Sequence, residues 1–226
     1  MPRSPVRYIL PLCVALFAAP LLADPTQIDF SAEASRPAAN DLARATVFAE
    51  AVGSTPGELA NRVKGLIADG LKIAKGYAAV KTQSGATNTY PVYAKGGKIE
   101  SWRMRSELTL ESGDTAALAE LLGKLQVSLG VSHLAMLPAP ETRKKAENEA
   151  MLDAVNAFKS RAKLLADALG KPYRIKQLSV NSSGRPPVMP MMRAGAAFAA
   201  DAVPMPMEGG DSQVSANVSG QIELLD

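Results

Sequence analysis

The chain has 226 residues, 47% of them hydrophobic and 21% charged, with 25 Lys and Arg set against 22 Asp and Glu. That balance excludes the clustered, unpaired charge that a nucleic-acid partner needs, while the length and apolar share suffice for a buried core. The single cysteine, Cys13, excludes a disulfide framework.

Residues 1–23 read as a secretory signal peptide, with Arg3 and Arg7 as a basic start, an apolar run from Ile9 to Leu22 and an acceptable cleavage site at Leu21-Leu22-Ala23. Its loss removes two basic residues and no acidic one, leaving 23 against 22, a balance of +1. The expected product is periplasmic or secreted after cleavage near Ala23, and no later stretch approaches the ~20 apolar residues of a transmembrane helix. Residues 24–226 are read as one α+β domain, with antiparallel β-sheets packed against helices.

Gln27 to Ser35 alternates Ile28, Phe30, Ala32 and Ala34 against polar neighbours, the period of a half-buried strand. Asp41 to Val52 repeats the pattern, and Arg36 to Asn40 joins the two, so an antiparallel pair is expected. Thr55 and Pro56 then signal a helix start, followed by Leu59, Val63, Leu66, Ile67, Leu71 and Ala74 at helical spacing up to Gly76. Gly65 and Gly70 each weaken this helix by roughly 1 kcal/mol relative to Ala.

Tyr77 to Thr82 reads as a short strand and Ser84 to Asn88 as a loop. Gly96-Gly97-Lys98 between Thr89–Lys95 and Ile99–Leu110 is a hairpin signal, because glycine tolerates the positive φ of a tight turn. Lys95, Lys98, Arg103 and Arg105 form a basic group that the intervening Glu100 and Glu107 mark as a solvated sheet face more than an anion site. Asp114 can cap a second helix with Leu118, Leu121, Leu122 and Leu125 inward and Gly130 closing it. A brief strand spans Val131 to Leu137. Hairpin, helix and strand are thus expected twice, at a spacing near 55–60 residues.

The central element is a long amphipathic helix over 140–169. Met151, Val155, Phe158, Ala162, Leu165 and Leu169 form its apolar stripe, worth roughly 10 kcal/mol of gross burial. Pro140 and Glu141 suit its start, Gly170 its left-handed cap, and Pro172 prevents continuation. Tyr173 to Val180 and Val214 to Leu224 read as closing strands. Between them, residues 181–211 hold a Pro- and Met-rich loop with five of the nine methionines, and long structureless loops are usually functional or disordered.

Leu169-Gly170, Lys176 to Val180, Pro186-Pro187-Val188-Met189-Pro190-Met191-Met192 and the alternating Gln213 to Leu225 resemble the C-terminal third of the SIMPL-domain family of exported bacterial proteins, of the periplasmic immunogenic and oxidative-stress defence type. Ile99 to Leu110 resembles the family's central strand, and Asn61 falls where its first helix carries asparagine. Departures are Ala32 and Ala34 for a Gly-x-Gly element, Asn40-Asp41 for a Pro-Asp step, and Ser101-Trp102 for a Gly-Tyr pair. The resemblance implies an α+β fold and, in some members, ring-like or channel-like oligomers. It implies no catalytic residue or cofactor.

The residues themselves point the same way. No phosphate-cradling glycine motif, zinc spacing or nucleophile elbow is present. His133 is the only histidine, and a lone histidine on a short strand reads as structural more than catalytic. Glu147 and Glu149 read as a solvated helix face without partners. The methionines Met189, Met191, Met192, Met205 and Met207 offer soft sulfur ligands for Cu(I), reversible oxidation as a scavenger, or an adaptable packing surface, of which packing is favoured. The expectation is therefore a non-enzymatic envelope protein, self-assembling and linked to stress tolerance, without a cofactor, with a homo-oligomer or an envelope protein as partner. The unpaired edges Gln27–Ser35 and Val214–Leu224 would serve assembly. A methionine-based metal or oxidant binder is the alternative, and an unrecognised hydrolase using His133 the third.

Overall fold

The computed structural model describes residues 25–182 and 209–225. The elements run β1 (Gln27–Ala39), β2 (Leu42–Gly53), α1 (Pro56–Ala74), β3 (Lys81–Tyr93), β4 (Ile99–Ser112), α2 (Thr115–Leu125), β5 (Gly130–Leu137), α3 (Pro140–Leu169), β6 (Tyr173–Ser182) and β7 (Asp211–Leu224). They form a sheet of order β3-β4-β2-β5 and a second of order β1-β7-β6, every neighbour antiparallel. The fold is α+β.

β2 through β5 with α1 and α2 state strand-helix-strand twice, and the sheet order makes this the split β-α-β arrangement. The alternation in β2 decides its faces: Ala43, Ala45, Val47, Ala49 and Ala51 are buried, while Arg44, Thr46, Phe48 and Glu50 point to the other side. Leu108 and Leu110 of β4 meet Leu118, Leu121 and Leu125 of α2 and Leu59 and Val63 of α1 in one core. Asp114 caps α2 by accepting from the Ala117 amide at 3.0 Å. The other unit is discontinuous, with β1 before the insertion and α3, β6 and β7 after it.

Several expectations change. β1 and β2 do not pair: β1 lies against β7, and β2 sits between β4 and β5. β1 continues through Arg36 and Pro37 to Ala39, so only Asn40-Asp41 is left to turn the chain into a different sheet. The first copy therefore lacks the expected hairpin, and what repeats is strand-helix-strand. Tyr77 to Val80 is a turn, and β3 runs unbroken to Tyr93, the expected loop at Ser84–Asn88 being a bulge between Ser84 and Thr87. The Gly96-Gly97 hairpin is present, with φ +76° at Gly97.

Gly130 does not close α2. It begins β5, where a Cβ would lie 2.5 Å from the Phe48 ring, so the ring needs a glycine beneath it. α3 has the expected span, Pro140 start and left-handed Gly170 cap (φ 66°), but it is central to one unit only. Its buried row is Ala146, Ala150, Ala154, Phe158, Ala162 and Ala166. Met151 and Val155 are half-buried beside that row, and Leu169 is exposed. Alanine at every fourth position lets the helix axis approach the sheet, and bulky residues are displaced to its flanks.

Asn40 and Asp41 join the two units. Asn40 donates from its backbone to the Gly210 carbonyl at 3.0 Å and from Nδ2 to the Gly209 carbonyl at 2.9 Å, while accepting from Ser212 Oγ at 2.7 Å. Asp41 accepts from the Ala139 amide at 2.6 Å and Thr142 Oγ1 at 2.5 Å, and so caps α3, whose own N-cap Ala139 has no side-chain acceptor. The Thr142 hydroxyl and the Ala139 amide together hold the Asp41 carboxyl below its usual range.

Candidate functional site

The face of the four-stranded sheet away from α1 and α2 carries a ladder of alternating charge. Arg44 pairs with Glu111 at 2.7 Å, Arg105 with Glu107 at 3.0 Å and Arg103 with Glu50 at 3.7 Å, and Arg105 also lies 3.6 Å over the Phe48 ring. Arg103 and Arg105 are thus spent within the sheet surface, as their acidic neighbours suggest. His133 is exposed on β5 opposite Thr46, and no hydrogen bond joins it to another side chain among the described residues. Among those residues no cluster of three His, Cys, Asp or Glu is placed to hold a metal. Glu147 has a partner after all, accepting from Arg143 Nε at 2.8 Å one helical turn away. Met189, Met191, Met192, Met205 and Met207 lie outside the described residues, as does the leader at 1–23.

The three-stranded sheet has two unlike faces. Its outer face is polar from Gln27 to Ser35: Asp29, Gln221 and Gln177 form one cross-strand row, Ser31, Ser219 and Ser179 the next. Gln221 Nε2 donates to both Asp29 carboxylate oxygens at 3.1 Å. Its inner face is apolar and receives α3, with Phe30 stacked on Phe158 at 4.3 Å between ring centres. Gly220 sits under that pair, since a Cβ there would meet the Phe158 ring at 3.0 Å and the Gln177 carbonyl at 2.3 Å.

α3 does not cover the whole inner face. Arg36 of β1 pairs with Asp153 at 2.5 Å, each moving the other toward its charged form, and Arg161 donates to the Ser31 carbonyl of β1. These contacts fix the Asp153–Arg161 flank of α3 to β1, and Met151 and Val155 lie on the other side of the alanine row. Of β6 only Tyr173 packs into the core. Ile175, Leu178 and Val180 lie in the rows of Ile222, Gly220 and Val218, hence on the helix side, yet stay 39, 40 and 41% exposed. An aliphatic strip therefore runs open along the β6 edge of the sheet. The spacing 175, 178, 180 carried a signal of this, because a step of three breaks strand period and marks the bulge between Ile175 and Gln177.

Edges are the remaining candidates for assembly. β7 is the middle strand of its sheet, so Val214–Leu224 is not an unpaired edge; β1 and β6 are. Each edge strand carries an interruption: Pro37 in β1, the bulged Lys176 in β6, a bulge and Pro91 in β3, and a register shift in the eight-residue β5. Proline, lysine and bulges are the devices that stop one sheet from extending into another. The arrangement offers an apolar face more readily than a free backbone edge. No described helix is long and apolar enough to cross a membrane. The family model described as SIMPL, protein of unknown function (DUF541), matches residues 28–222, both units of the fold. No curated protein matches the chain.

Proposed function

The chain belongs to the SIMPL (DUF541) family, and from that premise we propose that it is a non-enzymatic, exported protein of the cell envelope that self-assembles and supports stress tolerance. The observation that carries the reading is the open aliphatic strip of Ile175, Leu178 and Val180. Fully burying such a side chain contributes about 1.5–3 kcal/mol, so two-fifths exposure leaves roughly 1 kcal/mol per residue to be gained by covering it. A second copy placing the same strip against this one gains that term twice, which favours a two-fold contact. The blunted edges direct assembly to this face and away from continuous sheet pairing.

The test is the solution mass of Asp24–Asp226 by size-exclusion chromatography with light scattering, beside a Leu178→Asp/Val180→Asp variant. The wild type is expected as a discrete oligomer and the variant as a monomer with unchanged circular dichroism. A wild type that stays monomeric across the concentration range sinks the assembly reading.

A further inference from the structure

The most exposed apolar side chains of the four-stranded sheet collect at one end, where β3 and β4 outrun their neighbours. β2 follows β4 only as far as the Gly53–Trp102 pair, whereas β3 and β4 pair on to Tyr93 and Ile99. Beyond that limit the two strands and their turn form a ribbon with no third strand, and every residue from Tyr93 to Glu100 is exposed. Hydration normally selects polar residues in such a ribbon. Here Tyr93 is 60% and Ile99 50% exposed, and Tyr90, 52% exposed, shares a row with Arg103 and the exposed Val52.

Charge on the ribbon is one-sided. Lys95 and Lys98 flank the Gly96-Gly97 turn and form no ion pair among the described residues, with Glu100 the only carboxylate between Tyr90 and Arg103. Lysines beside a tight glycine turn, tyrosines one step behind and an isoleucine among them make up a convex, amphipathic tip. A peptide or small ligand is held in a concave site, which this ribbon does not form. An anionic bilayer surface takes the opposite shape: tyrosine rings settle at headgroup depth, lysine stems run along apolar surface with their charges in water, and anionic lipid attracts those charges.

We propose that the β3–β4 ribbon docks the protein on an anionic lipid surface, with Tyr93 and Ile99 entering the interface and Lys95 and Lys98 on lipid phosphates. Gly97, at φ +76°, lets the chain reverse across the three residues between Ala94 and Lys98, so the lysines and the apolar pair reach the surface together. The contact uses no residue of the open β6 strip, so docking and self-assembly can occur in the same molecule.

Vesicle flotation with the chain from Asp24 to Asp226 tests this, using phosphatidylcholine vesicles with and without phosphatidylglycerol, at low and high salt. Binding is expected only to the anionic vesicles and to weaken with salt. Each of Lys95→Gln and Lys98→Gln should lower partitioning about five-fold. A Tyr93→Ser/Ile99→Ser variant should lower it further while leaving the salt dependence in place. All four residues are exposed, so circular dichroism and solution mass should match the wild type. No binding to anionic vesicles overturns the proposal, as does binding that neither variant set weakens. Binding to soluble polyglutamate without binding to vesicles overturns it in favour of an acidic macromolecule.

Discussion

The two units solve the same packing problem with different side chains. In the inserted unit, leucines from β4 and α2 interlock with an alanine-lined β2, and Leu108, Leu110, Leu118, Leu121 and Leu125 are fully buried. In the discontinuous unit, α3 meets the sheet through five alanines, and Phe158 is the one large side chain that the helix buries fully. A leucine core spreads its burial over many residues, so no single position carries it. An alanine seam brings backbones close but concentrates volume in Phe158, Phe30 and the gap over Gly220.

The sharpest way to break that contrast is truncation on each side. Phe158→Ala should cost about 3–5 kcal/mol and open the three-stranded unit, because the Phe30 ring loses its stacking partner and the alanines flanking position 158 are too short to fill the space. Leu121→Ala should cost about 2–5 kcal/mol, toward the lower end where neighbouring leucines relax into the cavity. Urea unfolding followed separately at the two units checks both, and equal losses at Phe158 and Leu121 would show that the two cores tolerate truncation alike.

A smaller effect tests the link between the units. Removing the cap with Asp41→Ala should cost about 1 kcal/mol at neutral pH. The Asp41 carboxyl is depressed in the folded chain, so its contribution is complete above the ordinary carboxylate range and disappears as pH falls through the folded value. Asp153 and Glu223, held down by Arg36 and Arg174, have the same sign and should steepen the acid side of the stability curve. The gap between wild type and Asp41→Ala in urea midpoint should therefore narrow toward pH 3 and be widest near neutrality; a constant gap would show that the carboxylate charge is not what caps α3.

The smallest effects separate two glycines of α1. Gly65→Ala meets nothing within 4 Å and should stabilise by about 1 kcal/mol, whereas a Cβ at Gly70 would lie 2.9 Å from Leu129 Cδ1 and press into the leucine core. Thermal melts should move upward for the first and downward for the second. From sequence alone the two look equivalent, each an interruption of a helical pattern. Only the packing of Leu129 and Leu125 against one of them distinguishes the glycine that is required from the one that is tolerated.

Much of what depends on neighbours along the chain was readable in advance, although Tyr77 to Val80, which reads as strand, is a turn and Gly130, which reads as a cap, begins β5. The span of α3 between Pro140 and Gly170, the Asp114 cap and the turn at Gly96-Gly97 rest on local backbone chemistry, and the family followed from the closing strands. The α+β class also follows from helical and strand periods. Choice of partner is different in kind, because period two says which side chains share a face and nothing about which strand lies beside them. Ser35 meets Ser215 across the sheet at 2.8 Å, 180 residues apart, while Ala43 of the next strand belongs to another core. The open strip of β6 is of that same kind. Ile175, Leu178 and Val180 look like ordinary buried strand residues until the tertiary structure shows that α3, pinned to β1 through Arg36 and Asp153, leaves them about two-fifths exposed. Apolar pattern determined which residues seek burial; the position of one helix decided which of them find it.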